Sequence, residues 1–208
     1  MKIVPAILAP SFSEFKKQAC RLEGLFDLIQ IDIMDGVFVK NKSFKKIGNI
    51  NSLNLNINFE LHLLVEHPLR ELEKWKEVKN VERVIFHIES KDNPKEVIAL
   101  ICSHMWKVGI AINPETTLSM VKPYLSIIDA VLFMTVYPGR QGSEFLPGMK
   151  EKIKKFTTLN HRPLCLVDGG INVKTINAVK LWGADAVSVG SAISKAVDVK
   201  KAIKKLRV

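Results

Sequence analysis

The chain has 208 residues, of which 47% are hydrophobic and 25% are charged. These values are typical of one soluble globular domain with a sizeable core, and they exclude a disordered or fibrous chain. The formal net charge of +10 comes from lysines that fall as scattered pairs, such as Lys16-Lys17 and Lys200-Lys201. No single basic block is interleaved with aromatics, so we expect a lysine-rich surface and no nucleic-acid partner.

The start of the chain and its cysteines indicate the compartment. Residues 1–10 are apolar, but two prolines interrupt them and the run is shorter than a spanning helix. We therefore expect a first strand here, with no targeting signal and no membrane segment. Cys20, Cys102 and Cys165 are odd in number and far apart, which predicts neither a disulfide framework nor a zinc ribbon. A cytoplasmic location is the simplest expectation.

Strand-like and helix-like segments alternate along the whole chain. Helix signals include Ser11 as an N-cap, with Glu14 at the capping-box spacing. The predicted strands are 3–9, 28–35, 58–65, 83–89, 108–113, 130–136, 164–168 and 186–190. The predicted helices are 12–26, 44–50, 69–79, 94–107, 115–128, 149–156, 173–182 and 195–206. About eight strand-helix units with no linker predict a single (β/α)8 barrel domain over residues 1–208.

A doubly wound open sheet is the alternative fold. That fold requires a glycine-rich turn after the first strand, and residues 9–12 contain no glycine. The barrel is therefore favoured.

Two of the predicted strands carry polar side chains on one face. In 28–35, Gln30 and Asp32 alternate with isoleucines; in 58–65, Glu60 and His62 alternate with apolar residues. An antiparallel sheet would turn this polar face to water. Helix-length segments between the strands favour a parallel sheet instead, so the polar groups lie on the side that no helix covers.

Two sets of residues near the predicted strand ends can carry chemistry, because barrel active sites lie at that end. The polar set can bind a divalent cation, perform acid-base chemistry, or both; it comprises Gln30, Asp32, His62, His87, Asn113 and Asp168. The second set falls after the last strands and is typical of a phosphate-binding cradle; it comprises Gly139, Gly142, Gly169, Gly170, Gly190 and Ser191. Taken singly, each residue is more often a core or turn residue.

Several motifs, in order over nearly the whole chain, resemble the ribulose-phosphate 3-epimerase family. They are Pro5-Ala6-Ile7-Leu8, Ile31-Asp32-Ile33-Met34-Asp35-Gly36, Leu61-His62-Leu63, Phe86-His87-Ile88-Glu89, Asn113-Pro114, Pro138-Gly139, Val167-Asp168-Gly169-Gly170 and Val189-Gly190-Ser191. The resemblance implies a (β/α)8 barrel of the pentose phosphate pathway that inverts C3 of a ketose phosphate. Asp32 and Asp168 match the two bases, Gly139, Gly142 and Ser143 fall in the phosphate loop, and a homo-oligomer is implied.

The resemblance also implies one divalent metal ion, such as Zn, Mn, Fe or Mg, bound by two histidines and the same two aspartates. Here Asp32, His62 and Asp168 remain, and Gln30 stands in place of the first histidine. Because an amide oxygen is a harder ligand than imidazole, we expect weaker zinc binding and relatively better binding of manganese or magnesium. Further departures lie at the predicted pocket: Ala6, Val37, Leu64, Tyr137, Gln141 and Ser143.

Three functions fit this sequence. The first is a divergent metal-assisted epimerase acting on ribulose 5-phosphate. The second is an epimerase for another ketose phosphate, such as allulose 6-phosphate, because Val37, Leu64 and Tyr137 would reshape the pocket. The third is a barrel that has lost catalysis and only binds a sugar phosphate or a protein partner. Retention of Asp32 and Asp168 favours catalysis.

Overall fold

The computed structural model describes residues 1–139 and 144–207. The predictions for Gly142 and Ser143, and the departure at Gln141, lie outside these residues. Eight parallel strands close into a barrel in chain order. They are β1 Lys2–Ile7, β2 Leu28–Met34, β3 Asn58–Leu64, β4 Val81–His87, β5 Lys107–Ile112, β6 Ala130–Met134, β7 Leu164–Asp168 and β8 Ala186–Val189. The predicted barrel is confirmed, and every strand begins and ends within two residues of its predicted bounds.

Helices follow most of the strands and cover the outside of the barrel. They are α1 Phe12–Leu22, α2 Pro68–Trp75, α3 Pro94–Ser103, α4 Lys150–Thr157, α5 Ile176–Leu181, α6 Ser191–Ser194 and α7 Val199–Leu206. The predicted cap of α1 is confirmed, since the Ser11 hydroxyl accepts a hydrogen bond from the Glu14 amide at 3.2 Å. A proline in the first turn of α2 and of α3 costs nothing there, because that turn has no intrahelical use for its N–H.

The predicted helices 115–128 and 44–50 are wrong. Two 3₁₀ turns, Leu118–Met120 and Lys122–Tyr124, occupy the first segment. Pro123 lies in its middle, where a longer helix would lose a hydrogen bond and meet a steric clash. The second segment forms the 3₁₀ turns Ile47–Asn49 and Asn51–Leu53. In both places the apolar periodicity reflects side chains that pack against the core, and it does not require an α-helix.

Five other helices have different bounds from those predicted. Two of them are α2 and α3, which end at Trp75 and Ser103 instead of residues 79 and 107. Helix α1 ends at Leu22 instead of Phe26, and Gly24 follows it with a φ of +73°. The segment 195–206 begins its helix only at Val199, where the Asp198 carboxylate caps the Lys201 amide. The segment 173–182 is helical from Ile176 to Leu181. In each case a local cap or turn decided the boundary.

The period of two along the strands separates the barrel into an inside and an outside. Ile29, Ile31 and Ile33 are buried between the barrel and its helices, within the main hydrophobic core. Gln30 and Asp32, which alternate with them, therefore point into the barrel, where they are also buried. A smaller apolar cluster that includes Ile85, Leu132 and Leu166 is also buried in the described structure. Among the described helices, none is both long and apolar enough to cross a membrane.

Candidate active site

Strand register brings the predicted polar residues to one level of the barrel. Asp32 on β2 lies opposite His62 on β3, and Asp168, the last residue of β7, lies opposite Ser188 on β8. All strands run in the same direction, so these side chains meet near the carboxyl end of the barrel. Asp32, His62, Asp168 and Ser188 line one cavity there.

The side-chain amide of Gln30 joins the two aspartates. Its nitrogen Nε2 donates to Asp32 Oδ1 at 2.9 Å and to Asp168 Oδ2 at 2.8 Å. Its oxygen Oε1 points the other way and accepts a hydrogen bond from the Ser188 hydroxyl at 2.7 Å. Gln30 is fully buried, and Ser188 is only 4% exposed. Two carboxyl groups from β2 and β7, which have β1 and β8 between them, are thus bridged by one neutral donor.

A chain of hydrogen bonds leads away from the aspartates through two buried histidines. His62 Nδ1 lies 3.1 Å from Asp32 Oδ1, and His62 Nε2 lies 3.0 Å from Nε2 of His87. His87 Nδ1 lies 3.2 Å from the carboxylate of Glu89. Glu89 in turn accepts a hydrogen bond from the backbone amide of Asn113 at 2.8 Å.

The environments of the two histidines assign their protons. Burial lowers the pKa of His87 and keeps its ring neutral, so its Nδ1–H donates to Glu89 and its Nε2 accepts from His62. Burial opposes charge on His62 too, but the hydrogen bond to Asp32 and the nearby negative charges raise the pKa of this ring. The ring of His62 is therefore fixed between a carboxylate and a neutral acceptor.

The pKa of Asp168 is raised to about 7, first by burial and then by the negative charge of Asp32. His62 and the Gln30 amide oppose this rise without cancelling it. Near neutral pH, Asp168 therefore exchanges readily between its acid and carboxylate forms. A group with that property at the wall of a cavity is a candidate proton donor and acceptor.

Three of the four predicted metal ligands fit a divalent cation. Asp32, His62 and Asp168 each offer one ligand atom, and these atoms lie within 4.8 Å of one another. Gln30 reaches the same place with its amide nitrogen, 3.5 Å from His62 Nδ1. An amide N–H donates hydrogen bonds and does not ligate a cation. The prediction that Gln30 is a ligand therefore does not match the orientation that the structure shows.

The described members of the predicted phosphate cradle lie together at the cavity, where Gly139, Gly169, Gly170, Gly190 and Ser191 line its wall. Gly169 has a φ of +117°, and a Cβ there would lie 2.7 Å from the Val136 side chain. Only glycine allows the chain to pass so close at this position. The phosphate role of these residues stays a prediction.

The loop after β2 lies beside the mouth of the cavity. The Asp35 carboxylate accepts hydrogen bonds from the amides of Val37, Phe38 and Glu66. The Asn41 side chain donates to the backbone oxygen of Gly139 across the mouth. The Phe38 ring packs 4.8 Å from the His87 ring, measured between centroids. This loop is thus anchored to the segment after β3, to the His87 ring and to the segment after β6.

The departures from the family pattern divide into two groups. Ala6 and Leu64 line the cavity as expected. Val37 is 65% exposed and Tyr137 is 60% exposed. Both line an outer groove that shares Pro138 and Gly139 with the cavity. Val37 and Tyr137 therefore lie beside the cavity and not in its wall, and the expectation that they reshape the pocket stays a prediction.

Ser188 is a site residue that was not predicted from the sequence. It alternates with Val187 and Val189, which are fully buried in the layer between barrel and helices. Because Ser188 alternates with these valines as Gln30 and Asp32 alternate with isoleucines, its side chain points into the barrel.

Comparisons with known proteins find relatives over nearly the whole chain. Residues 2–194 match the model of the "Ribulose-phosphate 3 epimerase family". The ribulose-phosphate 3-epimerase of Methanocaldococcus jannaschii is 34% identical, over 100% of this chain and 90% of that protein. The same enzyme of Schizosaccharomyces pombe is 31% identical, over 99% and 92%. Among solved structures, a 3-hexulose-6-phosphate synthase superposes with a TM-score of 0.70 at 19% identity, covering 100% of this chain and 98% of that one, which supports the fold alone.

Proposed function

Because the chain belongs to the ribulose-phosphate 3-epimerase family of carbohydrate-phosphate epimerases, we propose that it inverts C3 of a ketose phosphate and that Asp32 and Asp168 are its two bases. Ribulose 5-phosphate is the proposed substrate, since relatives that match nearly the whole chain are named ribulose-phosphate 3-epimerase. In this proposal residues 1–208 act as one barrel domain, in the cytoplasm and as a homo-oligomer.

The observation that best supports the proposal is that Asp32 and Asp168 lie close together at the wall of one cavity. Oxygens of both carboxyl groups lie within 3 Å of one amide nitrogen, although the residues come from β2 and β7. The side chains keep 12% and 14% exposure, so both remain accessible from the cavity. A protein that only binds a sugar phosphate has no chemical use for such a pair.

The chemistry requires one base and one acid at the start of each turnover. The Asp32 carboxylate takes the proton from C3, and the electron pair of that C–H bond moves into an enediolate with the adjacent carbonyl. Asp168 in its acid form then gives a proton to C3 from the opposite face. The raised pKa of Asp168 suits this role, because a group with a pKa near 7 gives and regains a proton at neutral pH. The reverse reaction exchanges the two roles.

A divalent cation, if held by Asp32, His62 and Asp168, would supply positive charge for the developing enediolate oxygen. The residues of this chain do the rest of the work. Ser188 and Gln30 set the separation of the carboxyl groups, and His87 and Glu89 fix the ring of His62. The backbone at Gly169, Gly170, Gly190 and Ser191 is proposed to hold the phosphate at the far wall of the cavity.

Exchange of the C3 proton with solvent tests the proposal. We expect purified protein to incorporate deuterium at C3 of ribulose 5-phosphate in D₂O, with Mn²⁺ or Zn²⁺ present, and to form the C3 epimer. A panel that includes allulose 6-phosphate separates the two possible substrates. If no ketose phosphate of the panel exchanges, the enzymatic proposal is wrong and the barrel only binds its ligand.

A further inference from the structure

The Gln30 amide occupies a special position in the aspartate cluster. Its nitrogen lies 2.9 and 2.8 Å from the two carboxylate oxygens and 3.5 Å from His62 Nδ1. His62 Nδ1 itself lies 3.1 and 3.6 Å from the same oxygens. The amide nitrogen therefore lies next to the three atoms that a cation would need, and it points two N–H groups at the oxygens.

The other end of the amide is fixed as firmly. The Ser188 hydroxyl donates to Gln30 Oε1 at 2.7 Å, and both residues are buried. A buried amide oxygen that loses its partner is costly, so Ser188 favours the orientation in which the nitrogen faces the carboxylates. Three hydrogen bonds from two residues of different strands thus hold the carboxyl groups together.

We propose that Gln30, held by Ser188, is a built-in bridge that organises Asp32 and Asp168 without a cation and competes with a cation for their oxygens. A cation bound to Asp32 Oδ1 and Asp168 Oδ2 must displace both amide N–H groups. Gln30 is then a positioning residue that lowers cation affinity, and Ser188 supports it. The inference rests on the proposed function only in taking the same two carboxylates as the functional pair.

The alternative role of Gln30 makes the opposite prediction. A Gln30 that ligates through Oε1 would turn its nitrogen toward Ser188, whose hydroxyl would then accept. In that arrangement, removal of either side chain weakens cation binding. In a competing bridge, removal of either side chain strengthens it.

Calorimetric titration of metal-free protein with Mn²⁺ separates these roles. Gln30→Met keeps the length of the side chain and removes both donors, and its thioether is too soft a ligand to bind Mn²⁺ well. We expect Gln30→Met to raise Mn²⁺ affinity by about tenfold, since two charge-assisted hydrogen bonds no longer have to break. Ser188→Ala frees the amide and is expected to raise affinity by about threefold.

Ser43→Ala is the matched control. Ser43 is also a buried serine, and its Oγ accepts a hydrogen bond from the Met34 amide outside the Gln30 network. It should leave the Mn²⁺ affinity unchanged. Unfolding curves of all three variants show whether each one is folded, and the mild Ser188→Ala change keeps the test usable if Gln30→Met is unstable.

The amide itself gives a second readout. In ¹⁵N-labelled wild-type protein, the Gln30 side-chain signals, assigned by their loss in Gln30→Met, should shift when Zn²⁺ displaces the bridge. Lower or unchanged Mn²⁺ affinity in both variants, or amide signals that Zn²⁺ leaves in place, would overturn the inference. All of these measurements omit substrate, so the C3 exchange assay decides the proposed function separately.

Discussion

Two buried polar clusters lie inside the same barrel, one layer apart along β3. The deeper one pairs Glu60 with Arg83 of β4, with 2.5 Å between Oε2 and Nη1, and both residues are at least 93% buried. The upper cluster contains the carboxyl groups of Asp32 and Asp168, which contact the neutral amide of Gln30 and the imidazole of His62. The deeper cluster has matched charges, whereas the upper cluster has an excess of acid at a cavity wall. The same barrel therefore contains one polar cluster that serves the structure and a second cluster whose protons can move.

Breaking the deeper pair is expected to produce the largest loss of stability. Glu60→Gln leaves the Arg83 guanidinium buried without its carboxylate, and the free energy of unfolding should fall by about 3–5 kcal/mol. Urea unfolding measures this directly. The double change of Glu60 and Arg83 to methionine should recover much of the loss, because no buried charge is left unpaired. A Glu60→Gln protein as stable as wild type would show that the pair contributes nothing.

The upper cluster should instead make the free energy of unfolding depend on pH. The pKa of Asp168 is about 7 in the fold and about 3.8 when unfolded. The fold thus favours the protonated form, so this contribution to stability is complete below about pH 4 and is lost as pH rises through about 7. Relative to Asp168→Asn, the unfolding free energy of wild type should decline by at most about 4 kcal/mol across that window. Parallel pH profiles of the two proteins would contradict the assignment.

Most of the fold could be predicted because its signals are local and repeated. The alternation of Ile29, Ile31 and Ile33 with Gln30 and Asp32 fixed both the strand and the face that points inward. The helix expected at 115–128 failed because a buried apolar face does not require an α-helix, and Pro123 prevents one. Other helices differ from their predicted bounds because a local cap, such as Asp198, fixes the residue at which the helix begins.

The site was predicted less completely, because it depends on contacts between distant strands. Asp32, His62 and Asp168 could be named from their positions at strand ends. The orientation of the Gln30 amide could not, since it follows from Ser188, which lies 158 positions further along the chain. The places of Val37 and Tyr137 beside the cavity could not be predicted for a related reason: a sequence position beside a strand end does not say whether a loop turns inward or outward.

The proposed two-base reaction is tested most directly by C3 exchange in the single variants Asp32→Asn and Asp168→Asn. Each variant keeps one base, so each should exchange the C3 proton of only one epimer with solvent deuterium, and the two variants should select opposite epimers. Interconversion of the epimers should fall by about 10³-fold in both. If either variant exchanges both epimers, or both variants exchange the same one, Asp32 and Asp168 are not opposed bases.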